Sequence, residues 1–176
     1  MSEYLYKVSA PRAEVTFFPS TFWHTADWES STTRYRKGYI EDRVLYVGDF
    51  DEINIHLLPR VRTVRVRAED ADFSVLYECG VECSPDKTAY IFAPSSRKKE
   101  VESFHPTIFK FDARGFKRVR KGEFVSWKPQ KAISYETISI DEAVKRWNIQ
   151  IHYTNDLDAL IANITQNKIY HDVQSA

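Results

Sequence analysis

The sequence predicts an α+β fold: a twisted, mainly antiparallel sheet, or two packed sheets, with short helices and a C-terminal helix–strand–helix segment. Three observations carry this expectation. Short runs rich in Val, Ile, Phe and Tyr recur through residues 1–138, punctuated by Pro, Gly, Asp and Ser. Helical periodicity is brief until Ser139 and sustained only after it. Apolar residues make up 43% and aromatic residues 14% of 176 positions, enough for a packed core without covalent staples. The length suits a single domain over residues 1–176. Within it the pattern predicts a sheet-rich body over 1–138, a helix–strand–helix segment over 139–170 and a loose tail over 171–176.

Leu5-Tyr6-Lys7-Val8 alternates as a first strand and stops at Pro11. Val15-Thr16-Phe17-Phe18 is a short extended segment ended by Pro19. Residues 20–38 mix Ser, Thr, Trp and charge without a clear period, which predicts a long surface loop with a short helix around 26–30. Val44-Leu45-Tyr46-Val47 is a strong strand with Gly48-Asp49 as its turn, and residues 51–58 read as a short helix ended by Pro59. From Arg60 to Arg67 the arginines change from even to odd positions near Thr63-Val64, which predicts a bulge or an end of pairing there. Residues 73–77, 89–92, 107–111, 123–127 and 132–138 are further strands, with turns at Arg114-Gly115 and Lys121-Gly122. Ser139-Ile140-Asp141-Glu142 is a capping box, in which a serine oxygen and a glutamate three residues on satisfy free helix N–H groups. Residues 149–153 alternate as a strand, and Thr154-Asn155-Asp156 caps a second helix carried by Leu157, Leu160, Ile161 and Ile164.

Several chemistries are excluded by their missing motifs. Five glycines include neither a dinucleotide-binding nor a P-loop pattern. Cys79 and Cys83, the only cysteines, read as reduced thiols, and no metal site is predicted. His105-Pro106-Thr107 supplies one HxT element where a two-histidine phosphoesterase needs two. The first residues carry no basic and apolar signal pattern, and no run is long enough to span a membrane, so the expected location is cytoplasmic and the expected partners do not include a membrane.

Charge is zero overall but unevenly spread. Residues 1–59 carry six Lys or Arg against nine Asp or Glu, residues 60–131 sixteen against ten, and residues 132–176 three against six. A basic middle can meet a phosphate-bearing partner, or pair with the acidic ends of its own chain. The candidate cations for nucleic acid or phosphate are Arg60, Arg62, Arg65, Arg67, Lys117, Arg118, Arg120 and Lys121, with Phe116 able to stack on a base.

Two segments carry a family resemblance. Leu5-Tyr6-Lys7-Val8-Ser9 resembles the "LYHVS" first strand of ADP-ribosyltransferase-like proteins, including small phage and bacterial ones. Gly38-Tyr39-Ile40, followed by Tyr46, resembles their second strand region. The run from Lys121 to Ala132 is similar to the late strand that carries the catalytic glutamate. The resemblance spans residues 4–138 in outline. It implies an ADP-ribosyltransferase that uses NAD on a protein or nucleic-acid target. Glu123 would be the catalytic carboxylate, Tyr46 would stack on nicotinamide, and Lys7 and Ser9 would lie near the ribose and the amide. Position 7 is Lys rather than His or Arg, and Gly122 replaces the usual Asn, Gln or Glu, which implies a divergent enzyme or an inactive fold reused for binding. Two other functions compete: a non-catalytic nucleic-acid or phosphate-binding module on the basic centre, and a small phage-type protein that modulates a host protein through its acidic ends and a Trp23/Trp28 loop.

Overall fold

Leu5, Leu45, Val47, Phe109, Phe111 and Phe124 alternate with polar or differently placed neighbours along four segments, and they meet in one buried cluster with Phe17 and Ala132. That cluster fixes which face of the strands points inward. The structure is a computed structural model that describes residues 3–25, 34–36, 39–59, 63–67, 81–82, 89–156, 159 and 171–174. In chain order its strands are β1 (Tyr4–Ser9), β2 (Thr16–Phe17), β3 (Ser20–Thr25), β4 (Arg34–Arg36), β5 (Tyr39–Gly48), β6 (Thr63–Arg67), β7 (Val81–Glu82) and β8 (Ala89–Pro94). They continue with β9 (Thr107–Asp112), β10 (Lys117–Arg120), β11 (Glu123–Ser126), β12 (Gln130–Lys131), β13 (Ser134–Thr137), β14 (Ile149–Thr154) and β15 (His171–Gln174). The helices are α1 (Lys98–Glu102) and α2 (Ile140–Arg146), with 3-10 turns at Glu52–Leu57, Ser95–Arg97 and Ala113–Gly115. The fold is α+β with mostly antiparallel sheets, as the sequence pattern predicts.

The chain divides into two compact units, residues 1–53 with 107–137, and residues 54–106 with 138–176. The first holds a sheet in the order β10-β11-β5-β1-β9-β13, with β3 and β4 also paired to β5. The small β2–β12 pair lays Phe17 edge-on against Phe109 and Phe111, at ring centroid distances of 4.8 and 5.5 Å. The second unit holds the order β14-β8-β6-β15, with β7 on β6. Residues 54–106 thus group with the C-terminal segment rather than with the rest of residues 1–138. The cause is a parallel pairing of β14 with β8, in register from Ile149↔Ala89 to Thr154↔Pro94. A parallel partner distant in sequence leaves no turn signal to read.

Several local expectations meet their structure here. Ser139 caps α2, its Oγ accepting from the Glu142 N–H at 3.1 Å, and Asn148 ends it in the left-handed region at φ 49°. The Thr154-Asn155-Asp156 cap forms, with Asp156 Oδ1 accepting from Ala159 N–H at 2.9 Å, while the rest of the second helix lies outside the described residues. So do the short helix at 26–30, the strand at 73–77, both cysteines, Trp28, Arg60 and Arg62. Strand β6 begins at Thr63, where the arginine alternation changes face.

Two expectations are corrected. Residues 20–25 and 34–36 are strands, not loop, and both pair with the first half of β5. Their own periodicity is weak, and a ten-residue β5 supplies the template. Residues 171–174, expected as a loose tail, pair antiparallel with β6.

Gly122 occupies the β10–β11 turn at φ 76°, and its carbonyl accepts from Asp49 N–H at 2.9 Å. A Cβ there would meet Glu52 Cβ at 3.0 Å. Gly122→Ala therefore combines a left-handed backbone penalty of about 1–2 kcal/mol with a contact that must give way. Urea denaturation should show a loss of at least ~1 kcal/mol; an unchanged midpoint would mean that the turn relaxes freely.

Candidate functional site

The site is built from β5, β11 and the turn after β5, all in the first unit. Strands β5 and β11 pair antiparallel, setting Val125 opposite Tyr46 and Glu123 opposite Gly48. Alternation then puts Tyr46 and Glu123 on one sheet face. This is not the face of the Leu5–Phe109 cluster: here Val44 and Val125 are buried and Tyr46, Val119 and Trp127 pack against them.

The Tyr46 phenol stands near enough to Glu123 on this face for the carboxylate to act on its titration. Burial pushes the phenol's pKa far up; the negative charges of Glu123 and Glu52 add to the rise, and Arg120 opposes it. Arg120 Nε lies 3.6 Å from Glu123 Oε2, with side chains 33% and 19% exposed. Glu52 arrives from the turn after β5, which is fixed by Asp49 Oδ1 accepting from Glu52 N–H at 2.9 Å. That turn folds directly over the strand end. A Cβ at Gly48 would meet Ile53 Cγ2 at 2.9 Å and Glu52 Cβ at 3.3 Å, so glycine at 48 is what admits it. The result is a part-buried group of one phenol, two carboxylates and one guanidinium. Among the described residues, no set of three or more His, Cys, Asp and Glu is placed to hold a metal ion.

Of the residues that the resemblance names, the structure brings Tyr46 and Glu123 together. Lys7 and Ser9 it places on the other face. Tyr6 is opposite Gly48 and so shares the Glu123 face, whereas Lys7 is opposite Phe109 and shares the face of Leu5. Lys7 Nζ still approaches the strand, donating to the Tyr46 backbone carbonyl at 3.2 Å. Tyr46 packs against the buried Val44–Val125 pair and is itself part-buried. The sequence reading missed Glu52 and the positioning role of the turn. The signal was present in Gly48 and Gly122, two glycines at strand ends with one acidic turn between them in space.

The basic candidates divide. Lys117, Arg118 and Lys121 are exposed on the β10–β11 hairpin. Lys117 Nζ sits 5.9 Å from the Trp127 ring centroid, and Arg118 Nε donates to the Arg120 carbonyl at 3.1 Å. Arg120 instead turns to Glu123. Arg114 is held by Asp112 at 2.6 Å, and its hydrogen bonds pull the Asp112 carboxyl down to about 2. Arg65 and Arg67 lie on β6, in the second unit. Trp23 lies on β3 rather than in a loop. His105 Nδ1 pairs with the Ser103 carbonyl at 2.9 Å. Among the described residues, no helix is long and apolar enough to cross a membrane. Comparisons of the chain with protein-family models, curated proteins and solved structures return no match.

The raised Tyr46 pKa fixes a sign for alkaline stability. The folded state favours the neutral phenol, so its contribution is complete below about pH 10 and is lost as pH rises beyond it. Tyr46→Phe should flatten the stability–pH curve above pH 10 by up to ~1.4 kcal/mol per pH unit. Parallel curves for the two proteins would show that Tyr46 ionises as readily folded as unfolded.

Proposed function

We propose that the chain is an ADP-ribosyltransferase-like protein in which Glu123 is the carboxylate that serves NAD cleavage. The observation that carries this reading is the placement of Tyr46 beside Glu123. Two residues singled out on separate sequence motifs stand on one sheet face of adjacent strands, with the carboxylate part-buried and 3.6 Å from the Arg120 guanidinium. In such a reaction the bond between ribose and nicotinamide breaks, and nicotinamide leaves with the electron pair. Positive charge grows on the ribose carbon. A fixed carboxylate lowers that barrier because it needs no reorganisation when the charge appears. An acceptor nucleophile on a protein or nucleic acid then forms the new bond and gives up its proton.

The arrangement changes the roles within the reading. Tyr46, from the neighbouring strand, stands beside Glu123 and offers its ring to nicotinamide. Lys7 and Ser9 carry no part of the proposal, because they lie on the opposite face. A second reading, phosphate or nucleic-acid binding, is favoured by the exposure of Lys117, Arg118 and Lys121 on one hairpin. Binding of that kind falls steeply with added salt.

Nicotinamide release by the native protein and by Glu123→Gln tests the first reading. The substitution keeps shape and removes charge, and release should fall by roughly a hundredfold or more. Equal rates would remove Glu123 from the chemistry. Neither binding nor turnover of NAD by the native protein would sink the enzyme and leave the cationic hairpin to be tested with single-stranded oligonucleotides at two salt concentrations.

A further inference from the structure

We infer that Arg120 is a positioning residue for Glu123, delivered to it by a β-bulge at Val119. The inference rests on the role proposed for Glu123 above. Strands β10 and β11 pair regularly at Lys117↔Val125 and Arg118↔Phe124, and the next pair is Arg120↔Glu123. Val119 is the extra residue. Without the bulge Val119 would stand opposite Glu123, and Arg120 would fall opposite Gly122. With it, two consecutive side chains serve the same sheet face. Val119 packs against Val44 and Val125, and Arg120 faces Glu123 with its Nε 3.6 Å from Oε2. Bulges characteristically re-aim a side chain in this way, and they concentrate beside active sites.

The charge pattern gives the re-aimed residue work. Glu123 has Tyr46 beside it on β5 and Arg120 on β10, while the Glu52 and Asp49 carboxylates lie over the adjacent Gly122, 3.2 and 3.3 Å from where a Cβ would stand. Carboxylates crowded at the hairpin tip repel one another, and a guanidinium among them offsets that repulsion. Arg120 thereby holds the Glu123 carboxylate in one orientation beside the Tyr46 phenol. Its neighbours Lys117, Arg118 and Lys121 remain exposed, whereas the Arg120 side chain is part-buried.

An oriented charge acts on the transition state more than on substrate binding, so the loss should appear in kcat. Nicotinamide release is measured for the native protein, Arg120→Met and Arg120→Lys. The expected result is a kcat roughly ten- to a hundredfold lower for Arg120→Met, with KM within about threefold, and substantial recovery in Arg120→Lys. If Arg120→Met does not fold, Arg120→Gln takes its place. A raised KM at unchanged kcat would make Arg120 a substrate contact and overturn the inference, as would kinetics unchanged in both. If the native protein releases no nicotinamide, the proposed reaction fails and thermal midpoints decide on Arg120 alone. Losses in Arg120→Met and Glu123→Gln that are not additive in the double variant support the coupling. Additive losses overturn it.

Discussion

Strand β5 is the constraint on which the first unit depends. It runs for ten residues, and four other strands pair with it: β3 and β4 along its first half, β11 and β1 along its second. A strand with partners on both sides has its register fixed twice, because a slip of one residue would turn both of its faces over. Its odd positions Leu45 and Val47 enter the Leu5–Phe109 cluster, while Val44 and Tyr46 enter the other. Both faces are thus committed to packing along residues 44–47. Asp42 is buried as well, with its Oδ1 accepting from the Arg43 N–H at 2.8 Å.

The segment after β5 is equally constrained. The chain turns back over its own strand end, and that return requires Gly48 below and Gly122 beside Glu52. The polar group at the hairpin tip is a consequence of this close approach. Glu52 comes from the turn, Glu123 from β11, Tyr46 from β5 and Arg120 from a bulged β10. Each is placed by backbone that packing has already fixed, which is the condition for an oriented charge.

The two outer strands of this sheet are protected differently. At one side β10 carries Lys117, Arg118 and Arg120, and charge of one sign discourages a further strand from pairing. At the other, β13 is short and exposed, with Tyr135 stacked on Phe109 at 5.3 Å. Short length limits what an edge can recruit. The exposed cations of the hairpin thus disfavour pairing at this edge.

Much of the local structure was legible in the sequence because its causes are local. The Ser139 N-cap, the Asp156 cap, the turn at Lys121-Gly122 and the alternating strands 5–8 and 107–111 each depend on neighbours within a few residues. The resemblance also selected Tyr46 and Glu123, which the fold places on one sheet face. The sequence could not show that β3 and β4 would form on β5, that residues 171–174 would join β6, or that β14 would run parallel to β8. Those pairings are long-range, and nothing in a strand's own residues names a distant partner. It also could not assign faces across strands: Lys7 lies near Tyr46 in space and yet on the opposite side of the sheet. Composition and pattern determined the fold class and the types of element. Register, the bulge at Val119 and the close approach over Gly48 and Gly122 decided which charges meet, because proximity between strands is settled by packing the whole sheet at once.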